Sequence, residues 1–374
     1  MARQPTLIAV DGRPLNRHHL RGIGRYIQHL IELSAGNDDI RWLVLGDEPE
    51  EPFHLSPQPN VLVRPFDFKG YRWHTWEQIA FPARARLAGA RVLFMPATRA
   101  PIWQPVPTVV TVHDTIPWTS DGDDFAPGLY RDRILPGAYR RAATVICGSV
   151  SAASDLARMW PRLEPKLAVI PHGVDEHYFR VRRGEPLPED LQRTGIRPPY
   201  LLYVGGHIPR KRPGWALKVW ESLQNPDVQL VVCGVNAEAH EGIRSLAAGE
   251  MRERLLLLGF VPEADMPWLY ANASAMLYPT LYEGFGFPAV EAQACGTPAL
   301  FSPCGSLAEL VGPAAYVLPQ DDLVPWVATC RRFVVTPLTD REVEQSRAWA
   351  RRFSWQRSAE LHFEVMLRAA TRQK

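Results

Sequence analysis

Short apolar runs alternate with longer amphipathic stretches from one end of the chain to the other. Runs at 6–10, 42–45, 92–95, 108–112, 144–147 and 167–170 read as buried strands. A second series follows at 200–204, 228–232, 255–258, 275–278 and 299–301. Continuous apolar strands separated by helical segments predict parallel sheets covered on both faces. The rhythm breaks at 180–199, which is rich in charge and proline and has no apolar period. The pattern therefore predicts two doubly wound α/β domains joined near 171–179. The expected division is 1–175, a linker at 176–195, and 196–354. A final segment, 355–374, reads as helical, with Ala359, Phe363 and Met366 among its apolar positions. No internal repeat or low-complexity segment interrupts this plan.

A chain of 374 residues is too long for one ordinary core, which agrees with two domains. With 46% apolar and 22% charged residues it has a globular composition. A net charge of +2 gives no reason to expect nucleic acid as a partner. The absence of an apolar run of about 18 residues predicts no spanning helix, and the N-terminus lacks the apolar core of a signal peptide. Five cysteines form no CxxC pair, so a reducing cytoplasm and small buried thiols are expected, with no zinc site. Only five of the 42 bases are lysine, which makes Lys211 conspicuous.

The most informative stretch runs from Tyr278 through Glu283, Gly284, Phe285, Gly286, Phe287, Pro288 and Glu291 to Gly296-Thr297-Pro298. It reads as a buried strand, a glycine turn, and a short helix with Pro288 at its first position, Glu291 in its first turn and Gly296 past its end. A glycine-preceded helix start offers backbone N–H groups and the positive end of a dipole to an anion. Carboxylates on either side can grip hydroxyls flanking a bound phosphate, the chemistry of a nucleotide-sugar. Taken singly, each feature also suits a plain turn and a dipole-favoured glutamate. Together, the two glutamates, the Gly-Phe-Gly-Phe-Pro between them and the Gly-Thr-Pro after them resemble the signature of retaining glycosyltransferases of family 4.

Other constellations fall where strands end. Gly22 and Gly24 open a helix after the first strand, suiting close approach of a phosphate as well as a simple turn. The strand at 200–204 runs through Gly205-Gly206 into Arg210-Lys211, a place to neutralise a diphosphate as the leaving group departs. Cations at a helix start oppose the dipole, and that local conflict marks the pair as candidates. His113-Asp114 follows the strand at 108–112, at the edge where α/β sheets collect ligands. Asp121-Gly122-Asp123-Asp124 has the look of a metal motif but lies in a polar loop, so no required metal is expected. Lys69 to Trp76, with Arg84, Arg86, Arg91 and Arg99 and no acid between Glu77 and Asp114, mixes aromatics with bases. It suits an anionic membrane surface or a lipid diphosphate on the acceptor, although ordinary helix faces look the same.

The resemblance runs along the whole chain and implies more than the residues alone. It implies two Rossmann-like domains facing a cleft, the GT-B arrangement, with the terminal helix crossing back to the first domain. It implies transfer of a hexose from a nucleoside diphosphate sugar to a hydroxyl of a glycan or lipid-linked glycan, with retention. Front-face attack, with the leaving phosphate as base, is the usual account; no acid pair is spaced for double displacement. By resemblance, Glu291 holds ribose hydroxyls and Glu283 sugar hydroxyls. Arg210, Lys211 and the amides after Gly286 take the diphosphate, with Gly284, Phe285 and Phe287 in the same loop. His113 meets the donor sugar, Gly24 the distal phosphate, and the backbone around Val261 the nucleobase, while 171–175 is a hinge. Gly-Ile-Gly-Arg-Tyr and His-Asp look most like bacterial mannosyltransferases of surface-polysaccharide assembly. GDP-mannose is therefore the favoured donor, with no separate cofactor, in the cytoplasm with peripheral contact at the inner face of the membrane. A non-catalytic glycan- or partner-binding protein and a sugar-nucleotide epimerase are the alternatives.

Overall fold

The computed structural model describes residues 4–371 apart from 16–19, 21, 48–51, 69–71, 119–127 and 248. Arg21, Lys69, Gly70, Tyr71 and the Asp121–Asp124 motif thus lie outside the described residues. The chain divides into two compact units, residues 1–173 with 355–374, and residues 174–354. Among the described residues thirteen strands form two sheets, parallel throughout.

The first unit holds β1 (Thr6–Asp11), β2 (Ile40–Gly46), β3 (Val61–Pro65), β4 (Val92–Met95), β5 (Thr108–Val112), β6 (Thr144–Cys147) and β7 (Leu167–Val169), ordered 3-2-1-4-5-6-7. The second holds β8 (Tyr200–Val204), β9 (Gln229–Cys233), β10 (Leu255–Gly259), β11 (Ala275–Tyr278), β12 (Ala299–Phe301) and β13 (Ala315–Val317), ordered 10-9-8-11-12-13. Each order reverses direction once, between β1 and β4 and between β8 and β11. In open parallel sheets that switch point is where ligands collect, outside the carboxyl ends of the strands.

Alternation along β8 shows why both faces are covered. Tyr200 and Leu202 enter one core with Val231, Met276 and Phe301, while Leu201 and Tyr203 enter the other with Leu230, Val232, Leu277 and Leu300. Every second side chain is apolar on each face, so the strand reads as an unbroken apolar run.

In the first unit the Gly22–Glu32 helix and the C-terminal Trp355–Thr371 helix pack together over the sheet. Trp355 stacks on His29 with centroids 4.4 Å apart. Gly173 permits this approach, since a Cβ there would lie 2.2 Å from the Trp355 nitrogen. Residues 176–195, expected as a linker, belong instead to the second unit. Tyr178, Phe179, Val181 and Leu191 are buried in its core, and the short Glu176–Phe179 and Glu189–Arg193 helices carry them there. Their charged neighbours hid that apolar contribution in the sequence.

Candidate active site

The switch point of the second unit brings two loops together. One leaves β8 through Gly205-Gly206 and makes a tight turn at Pro209–Lys211; the other leaves β11 and leads to the Phe287–Cys295 helix. The Leu281 N–H donates to the Arg210 carbonyl at 2.9 Å, which ties the loops edge to edge.

Arg210 and Lys211 turn inward onto Glu283, and all three side chains are largely buried. Lys211 Nζ lies 2.5 Å from Glu283 Oε1 and donates to the Tyr278 hydroxyl at 3.1 Å. Arg210 Nη1 reaches the same Oε1 at 3.1 Å and also bonds the Tyr282 carbonyl. The Thr280 hydroxyl donates to Oε1 at 2.7 Å. Burial, with the Glu283 charge next in importance, raises the Tyr203 and Tyr278 hydroxyls above their ordinary range, so both stay neutral and act as hydrogen-bonding frames. The turn itself is sharp. Arg212 adopts the left-handed region with φ 54°, held by Asp321 at 2.9 Å, by the Gln320 carbonyl at 2.6 Å and over the Trp215 ring. A non-glycine residue persists there only when its surroundings fix it. The third cation of this run is therefore structural, a role its sequence context did not disclose.

The glycine loop after Glu283 is pinned from behind by Ser306, which is fully buried. Its single O–H is shared between the Phe285 carbonyl at 2.7 Å and the Glu283 carbonyl at 3.0 Å. Among the described residues the Gly284 and Gly286 amides donate no hydrogen bond, so the loop keeps two donors for an anion. Gly286 has φ +95°, and a Cβ there would sit 2.4 Å from Leu307 Cδ2. The amides beyond it are fewer than expected: Pro288 has none and Ala289 donates to Gly286 at 3.0 Å. Phe285 is buried against Phe287 and Phe353, so it shapes the loop from within.

The helix starts at Phe287, one residue earlier than expected, which puts Pro288 second and Glu291 in the second turn. The dipole weakens beyond the first turn, so it does not account for this glutamate. Glu291 is only 6% exposed, and the Tyr270 hydroxyl donates to its Oε2 at 2.9 Å. A carboxylate held this deep is costly unless its hydrogen bonds are satisfied. Gly296 closes the helix at φ 77°, with the Thr297 N–H reaching back to the Ala292 carbonyl at 2.9 Å.

Val261 shares a core with Phe285 and Val290 of the glycine loop and its helix. It is 8% exposed, joins the core, and lines a cavity of about 380 Å³ along the edge strand β10 with Phe260, Leu256 and Leu258.

In the first unit, His113 follows β5 and both its ring nitrogens are engaged. Its Nε2–H donates to the Pro96 carbonyl at 2.7 Å, which leaves Nδ1 to accept from His172 Nε2 at 3.3 Å. Burial pulls the His113 pKa down to about 4, so the ring is neutral and is not poised as a base. His172, expected only as part of a hinge, is thus the support of His113. Beside them the Tyr26 hydroxyl contacts His362 Nε2 at 2.6 Å and Thr111 at 2.8 Å, while His362 Nδ1–H donates to the Ser358 carbonyl. Tyr26, from the glycine-loop motif, is thereby tied to the C-terminal helix. Gly24 lies inside the Gly22–Glu32 helix, not in a loop, and a Cβ on it would approach the Pro14 carbonyl to 2.7 Å. Packing by itself is a sufficient reason for that glycine. A Cβ at Gly22 would meet nothing within 4 Å.

The basic stretch is partly consumed inside the unit. Trp76 is fully buried, Arg84 lies over the Phe66 ring, and Arg99 faces buried Glu77 at 3.9 Å; Arg86 and Leu87 are exposed. Among the described residues no group of three or more His, Cys, Asp or Glu is placed to hold a metal ion. Nor is any helix among them long and apolar enough to cross a membrane. The five cysteines are all buried free thiols.

Comparison with known proteins bears on these two units. Residues 20–178 match the Glycosyltransferase Family 4 model, and residues 188–333 match that of the Glycosyl transferases group 1. The O-antigen chain mannosyltransferase B of Escherichia coli is 29% identical over 237 residues, 61% of this chain. The match spans about three fifths of that relative's length. Among solved structures, sucrose-phosphate synthase from Thermosynechococcus elongatus superposes with a TM-score of 0.74 at 17% identity, covering 98% of this chain and all of its own. Anabaena HepE, solved with UDP and glucose, gives 0.69 at 18%, covering 97% and 99%. Those likenesses establish the fold, and the two matched segments between them take in most of the chain. It is a member of the group 1, family 4 glycosyltransferases, with the two-domain GT-B fold.

Proposed function

We propose that this protein transfers a hexose, with mannose favoured, from a nucleoside diphosphate sugar to a hydroxyl of a glycan or lipid-linked glycan, with retention of configuration. The observation that carries the reading is the Arg210–Lys211–Glu283 cluster at the β8/β11 switch point, beside a glycine loop with two amide donors to offer. In this proposal the two cations and the Gly284 and Gly286 amides receive the diphosphate. Their value is greatest as the anomeric bond breaks and negative charge gathers on the leaving phosphate. Glu283 accepts from sugar hydroxyls, and Glu291, oriented by Tyr270, accepts from the ribose. His113 is assigned to the donor sugar as a neutral ring of fixed orientation. A front-face attack, with a leaving-phosphate oxygen taking the acceptor proton, needs no further protein base.

GDP-mannose is the favoured donor because the E. coli relative is named a mannosyltransferase. The proposal needs no metal. It places the enzyme in the cytoplasm, in peripheral contact with the inner face of the membrane through exposed Arg86 and Leu87; sedimentation with phosphatidylglycerol vesicles, compared with phosphatidylcholine, tests that contact. The main test is incubation with labelled GDP-mannose, with and without a mannosylated acceptor. Label appearing in the acceptor supports the transferase. Donor conversion without acceptor points to an epimerase, and binding without turnover to a non-catalytic protein.

A further inference from the structure

We propose that Thr280 is a positioning residue that reserves one oxygen of Glu283 for a hydroxyl of the transferred sugar; this rests on the donor-binding reading above. The two carboxylate oxygens of Glu283 are used very unequally. Oε1 takes the Thr280 hydroxyl at 2.7 Å, Lys211 Nζ at 2.5 Å and Arg210 Nη1 at 3.1 Å. A carboxylate oxygen offers about two lone-pair sites, so three donors saturate it. Among the described residues every short hydrogen bond to this carboxylate falls on Oε1, and the Tyr278 hydroxyl beside it is a further group that interacts with Glu283, although the side chain is only 10% exposed.

Such an asymmetry needs a cause, because a guanidinium and a carboxylate left to themselves favour the two-pronged pairing that occupies both oxygens. Thr280 supplies it. The residue is fully buried, and its carbonyl is anchored by the Cys304 thiol at 3.2 Å. It stands three residues before Glu283 in the same loop, so its hydroxyl meets one face of the carboxylate and fixes the rotation. Oε2 is then an acceptor with its negative charge already balanced by two cations. An ionised phosphate has no hydrogen to donate to that oxygen; a hydroxyl has one. The ligand group that Oε2 selects is therefore on the sugar, and the nucleotide is recognised without it.

That separation yields the test, made on the full chain with GDP and GDP-mannose. Thr280→Val keeps the volume and removes the donor; Thr280→Ser keeps the donor. The expected result for Thr280→Val is a GDP dissociation constant within about twofold of wild type, with the KM for GDP-mannose raised about tenfold. Thr280→Ser, which keeps the hydrogen bond to a charged group, should restore KM to within about threefold. An unchanged KM in Thr280→Val overturns the inference, as does equal weakening of GDP and GDP-mannose or failure of the serine variant to restore. A wild-type protein that binds neither ligand overturns the donor reading itself, and this inference with it.

Discussion

Replacing Lys211 by methionine removes one of two cations from Glu283 while keeping a side chain of similar length. Lys211 and Glu283 are 17% and 10% exposed, with 2.5 Å between Nζ and Oε1. At an effective dielectric near 20 their gross attraction is about 7 kcal/mol, most of it offset by the cost of taking both groups out of water. Orphaning a buried charge costs roughly 3–5 kcal/mol. Here Arg210 and Thr280 still hold the same oxygen, so the expected loss of stability is lower, about 1–3 kcal/mol. The chemical step should suffer more. A fixed cation aimed at charge that develops only in the transition state is worth roughly 3–4 kcal/mol, or about 10²- to 10³-fold in kcat. Initial rates of transfer from labelled GDP-mannose, taken with a melting curve on the same preparation, separate the two effects. Lys211→Arg, which keeps the charge, should lose less than Lys211→Met. A methionine variant that melts earlier but turns over within threefold of wild type would show that Lys211 only props up Glu283, and the catalytic assignment would fall.

Three further outcomes are expected. Tyr270→Phe removes the 2.9 Å bond to Glu291 and should weaken GDP binding about five- to tenfold in a calorimetric titration, with little change in fold. Gly286→Ala combines a positive φ of 95° with a 2.4 Å clash on Leu307, so urea unfolding should show a loss of about 1–3 kcal/mol. Burial lowers the pKa of fully buried His362 from 6.5 to about 4, so the unfolded chain binds its proton first as pH falls. Its contribution is therefore complete above about pH 6.5 and is lost progressively toward pH 4, by roughly 3 kcal/mol. An acid-unfolding series should be shallower for His362→Gln than for wild type; parallel slopes would contradict the assignment.

The central strands were legible because burial on both faces leaves an unbroken apolar run, as in β4, β5 and β11. The two strands that were missed lie at sheet edges. β3 is half-exposed and ends in Pro65, and β13 has only three residues. Within the site, Arg210, Lys211 and Glu283 could be picked out because glycines and charges interrupt otherwise apolar strand ends. Their partners could not. Ser306 and Tyr270 are joined to the loop only by the fold, and nothing local in Pro171-His172-Gly173 indicates that His172 faces His113. Gly24 carried an ambiguous signal, since crowding against Pro14 and approach by a phosphate call for the same missing side chain. Thr280 left a readable trace, a hydroxyl three residues ahead of Glu283 in one turn, but only the geometry says which oxygen it holds.

Calorimetric titration of the full chain and of Glu291→Ala with GDP, UDP, ADP and dTDP tests the nucleotide-binding claim most directly. The account predicts saturable binding of one diphosphate, with GDP favoured, weakened at least tenfold by the alanine variant. Absence of binding for all four nucleotides, or equal affinity in the two proteins, would contradict it.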